Sequence, residues 1–223
     1  MSKRVSHSLL DPFYSRLIPG IYGFLRIPRQ FPPEGIVLAG HLLAAIGGLG
    51  FALAGKYTFA GLLVVLGVAG NHIADMVDGT HARTTGQCRN GGELLDHFTD
   101  PLSFSYWMIG MSVAANMPYV GIVCILCIYA TAVLTNIRAK ITGEFVLAKF
   151  GPTEFKTLLI IFGVVLFLAN LEEKGRGAYL VSAVLPVLAV IGVVQLLWGL
   201  RVSVEDVNRN GSEPDTSEWE QRK

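Results

Sequence analysis

The sequence predicts an all-α integral membrane protein with six transmembrane helices and an N-terminal interfacial helical segment. Hydrophobic residues make up 52% of the 223 residues and charged residues only 16%, whereas a typical globular chain carries roughly 25% charged residues. The mean hydropathy is +0.49. The apolar residues form continuous runs, and the alternation typical of a membrane β-barrel is missing. Disorder and a small disulfide-stabilised domain are both excluded, because the chain is apolar and holds only 3 cysteines.

Six apolar runs are long enough to cross a bilayer, which takes about 20 residues per helix. They fall near 35–55, 58–80, 92–116, 119–142, 153–171 and 177–200. The stretch 101–137 contains no Asp, Glu, Lys or Arg and is too long for one span. Asn116-Met117-Pro118 is a natural break within it. The runs around this break are therefore assigned to the third and fourth spans.

The basic residues predict the orientation, since Lys and Arg are enriched on the cytoplasmic side of membrane proteins. Of the 18 basic residues, Lys156 lies inside the fifth span and Lys56, Lys174 and Arg176 flank the spans on one side. All the others fall on the opposite side. Both termini are therefore expected to be cytoplasmic, which agrees with an even number of spans. We predict a multi-pass protein of a bacterial cell membrane with its active site on the cytoplasmic side.

The chain divides into three predicted parts. Residues 1–33 mix apolar residues with Arg16 and Arg26 and are interrupted by prolines, which predicts a segment lying on the cytoplasmic leaflet. Residues 34–201 form the transmembrane catalytic domain. Residues 202–223 are polar and acidic, which predicts a disordered tail.

Four carboxylates stand where the membrane should exclude them, and such residues are functional candidates by default. Asp75 and Asp78 end the second span, and Asp96 and Asp100 begin the third. Spacings of three and four residues place each pair on one helix face. The short connection predicts that the two helices are antiparallel neighbours, so that the pairs converge.

Four ionised carboxylates at one place would repel each other unless they share protons or bind a cation. Oxygen ligands without His or Cys favour a hard divalent ion such as Mg²⁺ or Mn²⁺. Gly79 and Gly92 let a ligand approach closely, and Arg83 can neutralise phosphate oxygens. The pattern predicts a metal-dependent diphosphate site at the cytoplasmic surface.

These residues also resemble a known signature. The pattern from Asp75 to Asp100, with Asp78, Gly79, Ala82, Arg83, Gly92 and Asp96 at their spacings, is similar to that of the CDP-alcohol phosphotransferases. The resemblance implies transfer of a substituted phosphate from a CDP-linked donor to a hydroxyl acceptor, with release of CMP. It implies that Asp75, Asp78, Asp96 and Asp100 hold two divalent ions, and that Asp75, Gly79, Ala82 and Arg83 contact the CDP moiety. Asp100 becomes a candidate general base, and a homodimer is common in such families.

The segment Gly92-Glu93-Leu94-Leu95-Asp96-His97 resembles the choline and ethanolamine phosphotransferase branch, in which the histidine is a candidate base for diacylglycerol. Pro152-Thr153-Glu154 is also similar to that branch, so Glu154 is a candidate partner of His97. A Glu93–His97 contact is geometrically natural on a helix. The favoured reaction therefore pairs CDP-choline or CDP-ethanolamine with diacylglycerol.

The size of the chain favours an alternative, because it is closer to bacterial and archaeal members that use CDP-diacylglycerol and a polar alcohol such as inositol, serine or glycerol. Arg138 and Lys140, at the cytoplasmic end of the fourth span, are candidates for a phosphate or lipid-headgroup pocket beside the metals, and the alternative is an ordinary positively charged flank. A remote alternative is a transporter with a carboxylate-lined pathway. The nearly balanced charge gives no indication of a nucleic-acid partner.

Overall fold

The computed structural model describes residues 3–147, 150–214 and 216. In this part of the chain seven helices and two short strands follow one another. They are β1 (Lys3–Ser6), α1 (Asp11–Leu25), α2 (Pro33–Ala52), α3 (Ala60–Thr85), α4 (Asn90–Ala115), α5 (Pro118–Thr142), β2 (Glu144–Leu147), α6 (Pro152–Glu172) and α7 (Arg176–Asn210).

The helix ends follow from local sequence. Proline occupies the start of α2, α5 and α6, where its missing N–H costs no hydrogen bond. Gly86 after α3 and Gly143 after α5 both have φ of 74°, a left-handed conformation that glycine adopts without strain. Each of the six predicted spans overlaps one of the helices α2 to α7.

The protein is an all-α integral membrane protein, apart from the pair of short strands in the described part of the chain. Among the described residues, five helices are long and apolar enough to cross a membrane: α2, α3, α5, α6 and α7. α4 has 26 residues, which is long enough, but Glu93, Asp96 and Asp100 make its first half polar. Its second half packs against α2, α5 and α7.

Glycines in α2 let two helices approach it closely on adjacent faces. A Cβ atom on Gly67 of α3 would collide with the backbone of Gly47, and one on Gly110 of α4 with the carbonyl of Gly48. Small residues at helix crossings are typical of membrane proteins. α2 thus packs against both α3 and α4 and joins them. α3 and α4, predicted to be antiparallel neighbours, are held next to each other mainly by α2, which packs against both.

The N-terminal part contains more structure than an interfacial helix. α1 buries none of its residues, and Phe13 and Phe24 are 59% and 85% exposed. Ahead of it, β1 pairs in parallel with β2, with Val5 opposite Val146. This pairing was not predicted from the sequence.

The predicted disordered tail begins too early. α7 continues to Asn210, with Ser203 only 6% exposed. The Nε of Arg138 on α5 lies 2.7 Å from an oxygen of Asp206. These contacts hold residues 202–210 in the helix, so the prediction of disorder is wrong for them. Residues 215 and 217–223 of the predicted tail lie outside the described part of the chain.

Candidate active site

The four aspartates predicted to converge line one cavity. Asp75 and Asp78 lie near the end of α3, and Asp96 and Asp100 lie in the first half of α4. All four line the cavity together with Val37, Gly40, Asn71, Ala74 and Thr99. Its volume of about 10 Å³ suits roughly one water molecule or one bare ion. The enclosed space is thus far too small for a nucleotide, which can only approach from outside the cavity.

A buried lysine from a third helix holds two of these carboxylates. Lys156 on α6 is 0% exposed. Its Nζ donates hydrogen bonds to Oδ2 of Asp75 at 2.7 Å and to Oδ1 of Asp100 at 3.1 Å. The ring of Phe104 lies 5.5 Å from the same nitrogen. Lys156 therefore joins α6 to the carboxylates of both α3 and α4.

The other polar groups around the cavity are fixed by short-range contacts. Asp78 is 6% exposed, and one of its oxygens accepts a hydrogen bond from the backbone N–H of Gly79. Asn71 is also 6% exposed, and its Nδ2 donates to the carbonyl of Gly40 at 3.2 Å. The cavity wall is thus set by α2, α3 and α4 together.

The donor set fits a hard divalent ion by its chemistry, because it consists of carboxylate oxygens on adjacent elements. Among the described residues, however, no group of three or more His, Cys, Asp or Glu side chains surrounds a single point closely enough to hold a metal ion. Lys156 contributes the positive charge at Asp75 and Asp100 in this arrangement.

The surface beside the cavity is open on the side of Gly79 and Gly92. Arg83 is exposed, and a Cβ atom on Gly79 would lie 3.1 Å from its Nη1. No atom lies within 4 Å of where a Cβ of Gly92 would be. The exposed Arg83 guanidinium and the partly exposed Ala82 are thus accessible to a ligand from outside the protein.

Comparison with known proteins decides the family. The sequence model of the CDP-alcohol phosphatidyltransferase family matches residues 35–198. The chain belongs to the CDP-alcohol phosphatidyltransferase family. The predictions of a membrane enzyme of this family, and of a transferase, are confirmed.

Two curated relatives illustrate the range of this family. The chain is 26% identical to phosphatidylinositol phosphate synthase of Mycolicibacterium smegmatis (strain ATCC 700084 / mc(2)155) over 196 residues, covering 83% of this chain and 86% of that protein. It is 26% identical to cholinephosphotransferase 1 of Bos taurus over 143 residues, covering 60% of this chain. It spans only 34% of the length of that cholinephosphotransferase.

His97 follows Asp96 directly on α4. Its Nε2 is 4.0 Å from Oε1 of Glu93, so the predicted contact on the helix is formed. Its ring centroid lies 4.7 Å from that of Phe145 on β2. The side chain of His97 is 28% exposed and is accessible from outside.

Glu154 lies elsewhere than the sequence predicted. One of its oxygens accepts hydrogen bonds from Ser8 Oγ at 2.6 Å and from the N–H groups of Leu9 and Leu10 at 2.8 and 3.2 Å. The other accepts from the N–H of Gly151 at 2.9 Å. His97 is not among these partners in the described part of the chain. The predicted Glu154–His97 pair is therefore not formed, because Glu154 anchors the segment ahead of α1.

The same segment has two further anchors on α6. Thr153 Oγ1 donates to Asp11 at 2.7 Å, and Tyr14 Oη lies 3.0 Å from Thr157 Oγ1. Together with Glu154 they fasten the start of α1 to the first two turns of α6.

Arg138 and Lys140 do not line the carboxylate cavity. Arg138 is paired with Asp206, and Lys140 is exposed. Lys156 stands out in the sequence as a charge within an apolar run, but no role was predicted for it. Its position could have indicated one, because a cation at membrane depth needs a carboxylate partner.

Proposed function

We propose that this protein transfers a substituted phosphate from a CDP-alcohol donor to a hydroxyl acceptor and releases CMP, as a step of phospholipid synthesis. The observation that carries the proposal is the convergence of Asp75, Asp78, Asp96 and Asp100 on one cavity, in a chain of the CDP-alcohol phosphatidyltransferase family.

In this proposal the four aspartates hold two divalent ions, Mg²⁺ or Mn²⁺. When bound, such ions neutralise diphosphate oxygens and stabilise the departing CMP. Arg83 contacts the diphosphate through its exposed guanidinium, a geometry suited to phosphate oxygens. Gly79, Ala82 and Gly92, together with Asp75, form the surface against which the CDP moiety lies.

The transfer forms one bond and breaks one. The acceptor hydroxyl oxygen attacks the phosphorus that carries the donor's alcohol group, and the bond from that phosphorus to the bridging oxygen of CMP breaks. The hydroxyl proton passes to a base of the protein. Asp100 is a candidate because it lines the cavity, and His97 is the second candidate because an imidazole can accept a proton at neutral pH.

We favour CDP-choline or CDP-ethanolamine as donor and diacylglycerol as acceptor. The support is the Gly92-to-His97 segment and the similarity to a cholinephosphotransferase. The second version uses CDP-diacylglycerol with inositol, serine, glycerol or a related alcohol. It is supported by the similarity over most of both chains to a phosphatidylinositol phosphate synthase. In either version Arg138 and Lys140 are candidates to contact a phosphate or lipid headgroup.

The proposed topology has six spans, with α4 as the third, and both termini in the cytoplasm of a bacterial cell. α1 lies on the cytoplasmic leaflet, because none of its residues is buried in the protein and its phenylalanines, which are large and apolar, are exposed. In this arrangement the carboxylates face the cytoplasm, from which a soluble CDP donor arrives.

The test is CMP release by the purified protein with Mg²⁺ or Mn²⁺. One reaction contains CDP-choline or CDP-ethanolamine with diacylglycerol, and the other CDP-diacylglycerol with a panel of polar alcohols. Turnover in the first supports the favoured version, and turnover only in the second supports the alternative. If neither reaction releases CMP and the protein in proteoliposomes takes up a solute, the proposed transferase function is wrong and a transporter function is supported.

A further inference from the structure

A lysine without any solvent exposure lies inside the carboxylate cluster of this transferase. Lys156 comes from α6, whereas the carboxylates come from α3 and α4. Both of its partners, Asp75 and Asp100, keep exposed side-chain fractions of 27% and 29%. The ammonium is therefore the innermost charge of the site, and the carboxylates stand between it and the surface.

The same two carboxylates are required by two different cations. Under the proposed function Asp75 and Asp100 belong to the four ligands of the divalent ions. A divalent ion near Asp75 or Asp100 would lie within a few ångströms of the Lys156 ammonium, and like charges at such distances repel by several kcal/mol at the effective dielectric of a protein site. Lys156 itself has no contact with water, because no part of its surface is exposed.

We propose that Lys156 is a positioning residue with two opposite effects: it weakens the binding of divalent ions to Asp75 and Asp100, and it strengthens the binding of the donor's diphosphate. This inference rests on the metal-dependent transfer proposed above. It concerns a residue that lies outside the aspartate signature and that reaches the site from another helix.

The two effects follow from charge. Two divalent ions would neutralise four ionised carboxylates, and the ammonium of Lys156 then gives the loaded site a net positive charge. The diphosphate of a CDP-alcohol is negatively charged and is attracted by that excess. Without the donor, the ammonium is an internal cation that makes the carboxylates less available to the metal.

The experiment measures two affinities on the full chain in detergent. The first is the affinity for Mn²⁺ alone, obtained from the electron paramagnetic resonance signal of free Mn²⁺. The second is the affinity for CDP at saturating Mn²⁺, obtained by equilibrium dialysis. Lys156→Met removes the charge and keeps the chain length, and Lys156→Gln removes the charge and keeps a hydrogen-bond donor. Lys56→Met is the matched control, because Lys56 is exposed in the connection between α2 and α3.

Both Lys156 variants are expected to bind Mn²⁺ about tenfold or more tightly than the unsubstituted protein, and CDP several-fold more weakly. The control is expected to change neither affinity. A purely structural role would weaken both affinities at once, because the site would lose its shape. Unchanged or weakened Mn²⁺ binding in the two variants overturns the inference.

Folding provides a second readout. Removal of the ammonium takes the cation away from the half-buried carboxylates of Asp75 and Asp100, which is expected to destabilise the protein. The variants are therefore expected to unfold at lower temperature in EDTA and to recover in Mn²⁺, which takes over the role of the cation. Loss of the folded state even in Mn²⁺ would contradict the inference.

Failure of the transferase proposal is distinguishable from failure of this inference. If the variants show the opposite changes in Mn²⁺ and CDP affinity but no preparation releases CMP from any donor, Lys156 has the inferred role and the reaction is wrong. If CMP is released and the Mn²⁺ affinity of Lys156→Met is unchanged, the reaction stands and the role of Lys156 is wrong.

Discussion

The two halves of α3 have opposite surroundings. In the first half, Gly61 and Gly67 bring the backbone of α3 directly against the backbones of α6 and α2. In the second half, Asp75 and Asp78 face a cavity, and Lys156 reaches in from α6. At these two glycines the first half leaves no space for an added atom, whereas the second half contributes ionisable groups to the cavity. One helix thus provides both a close-packed surface and part of the candidate site.

The largest effect on stability is expected from a substitution that disrupts the close packing in the first half of α3. Gly67→Ala places a Cβ atom against the backbone of Gly47, which has no flexible side chain to move away. We expect a loss of about 3 kcal/mol or more in the free energy of unfolding, measured by thermal unfolding in detergent. Gly23→Ala is the control, since nothing lies within 4 Å of its Cβ position. Equal stability of the two variants would show that the helices separate easily there.

The polar half is tested by its chemistry. Asp100→Asn keeps the shape of the side chain and removes a carboxylate that lines the cavity, so CMP release should fall about 100-fold or more. His97→Asn is the matched variant on the same helix. A far larger loss in His97→Asn than in Asp100→Asn would transfer the role of base to the histidine.

A smaller effect is expected at the start of α6, where Glu154 holds the segment ahead of α1. Glu154→Gln replaces one acceptor oxygen by a donor that faces N–H groups, with a local cost of about 2 kcal/mol. Amide hydrogen exchange of residues 8–14 should become about tenfold faster or more. Glu34→Gln, which affects an exposed pair with Arg89, should leave that exchange unchanged. Unchanged exchange in Glu154→Gln would mean that the segment is held by other contacts.

The smallest effect is expected at the charge pair outside both halves. Arg138 and Asp206 have side-chain exposures of 21% and 23%, and such partly solvated pairs contribute about 1 kcal/mol or less. A double-mutant cycle with Arg138→Gln and Asp206→Asn should give a coupling energy in that range. A coupling of several kcal/mol would show that α5 and α7 depend on this pair.

The sequence predicts what depends on near neighbours along the chain. Helix positions follow from apolar run length, and the shared face of Asp75 and Asp78 follows from a spacing of three residues. Proline and glycine mark the helix ends. The convergence of the four aspartates could also be predicted, because a short connection joins α3 and α4.

What the sequence could not predict depends on contacts between distant segments. Glu154 and Ser8 are 146 positions apart, and no local pattern shows which buried carboxylate a given segment will bind. The contact that Asp206 on α7 makes beyond residue 202 is with Arg138, which lies 68 positions away in the chain. Lys156 can be recognised in the sequence as an intramembrane cation, yet its pairing with Asp75 and Asp100 depends on how α6 packs against α3.

The anchoring of the N-terminal segment has a consequence for how the protein is made. Ser8, Leu9 and Leu10 leave the ribosome early, but Glu154, which holds them, is synthesised 146 to 144 residues later. At ordinary synthesis rates this is a delay on the order of 10 s. During that interval the first turns of α1 and the strand ahead of them have neither β2 nor α6 to bind. The part of the chain that is made first therefore reaches its final place after the membrane helices α2 to α5 have been synthesised.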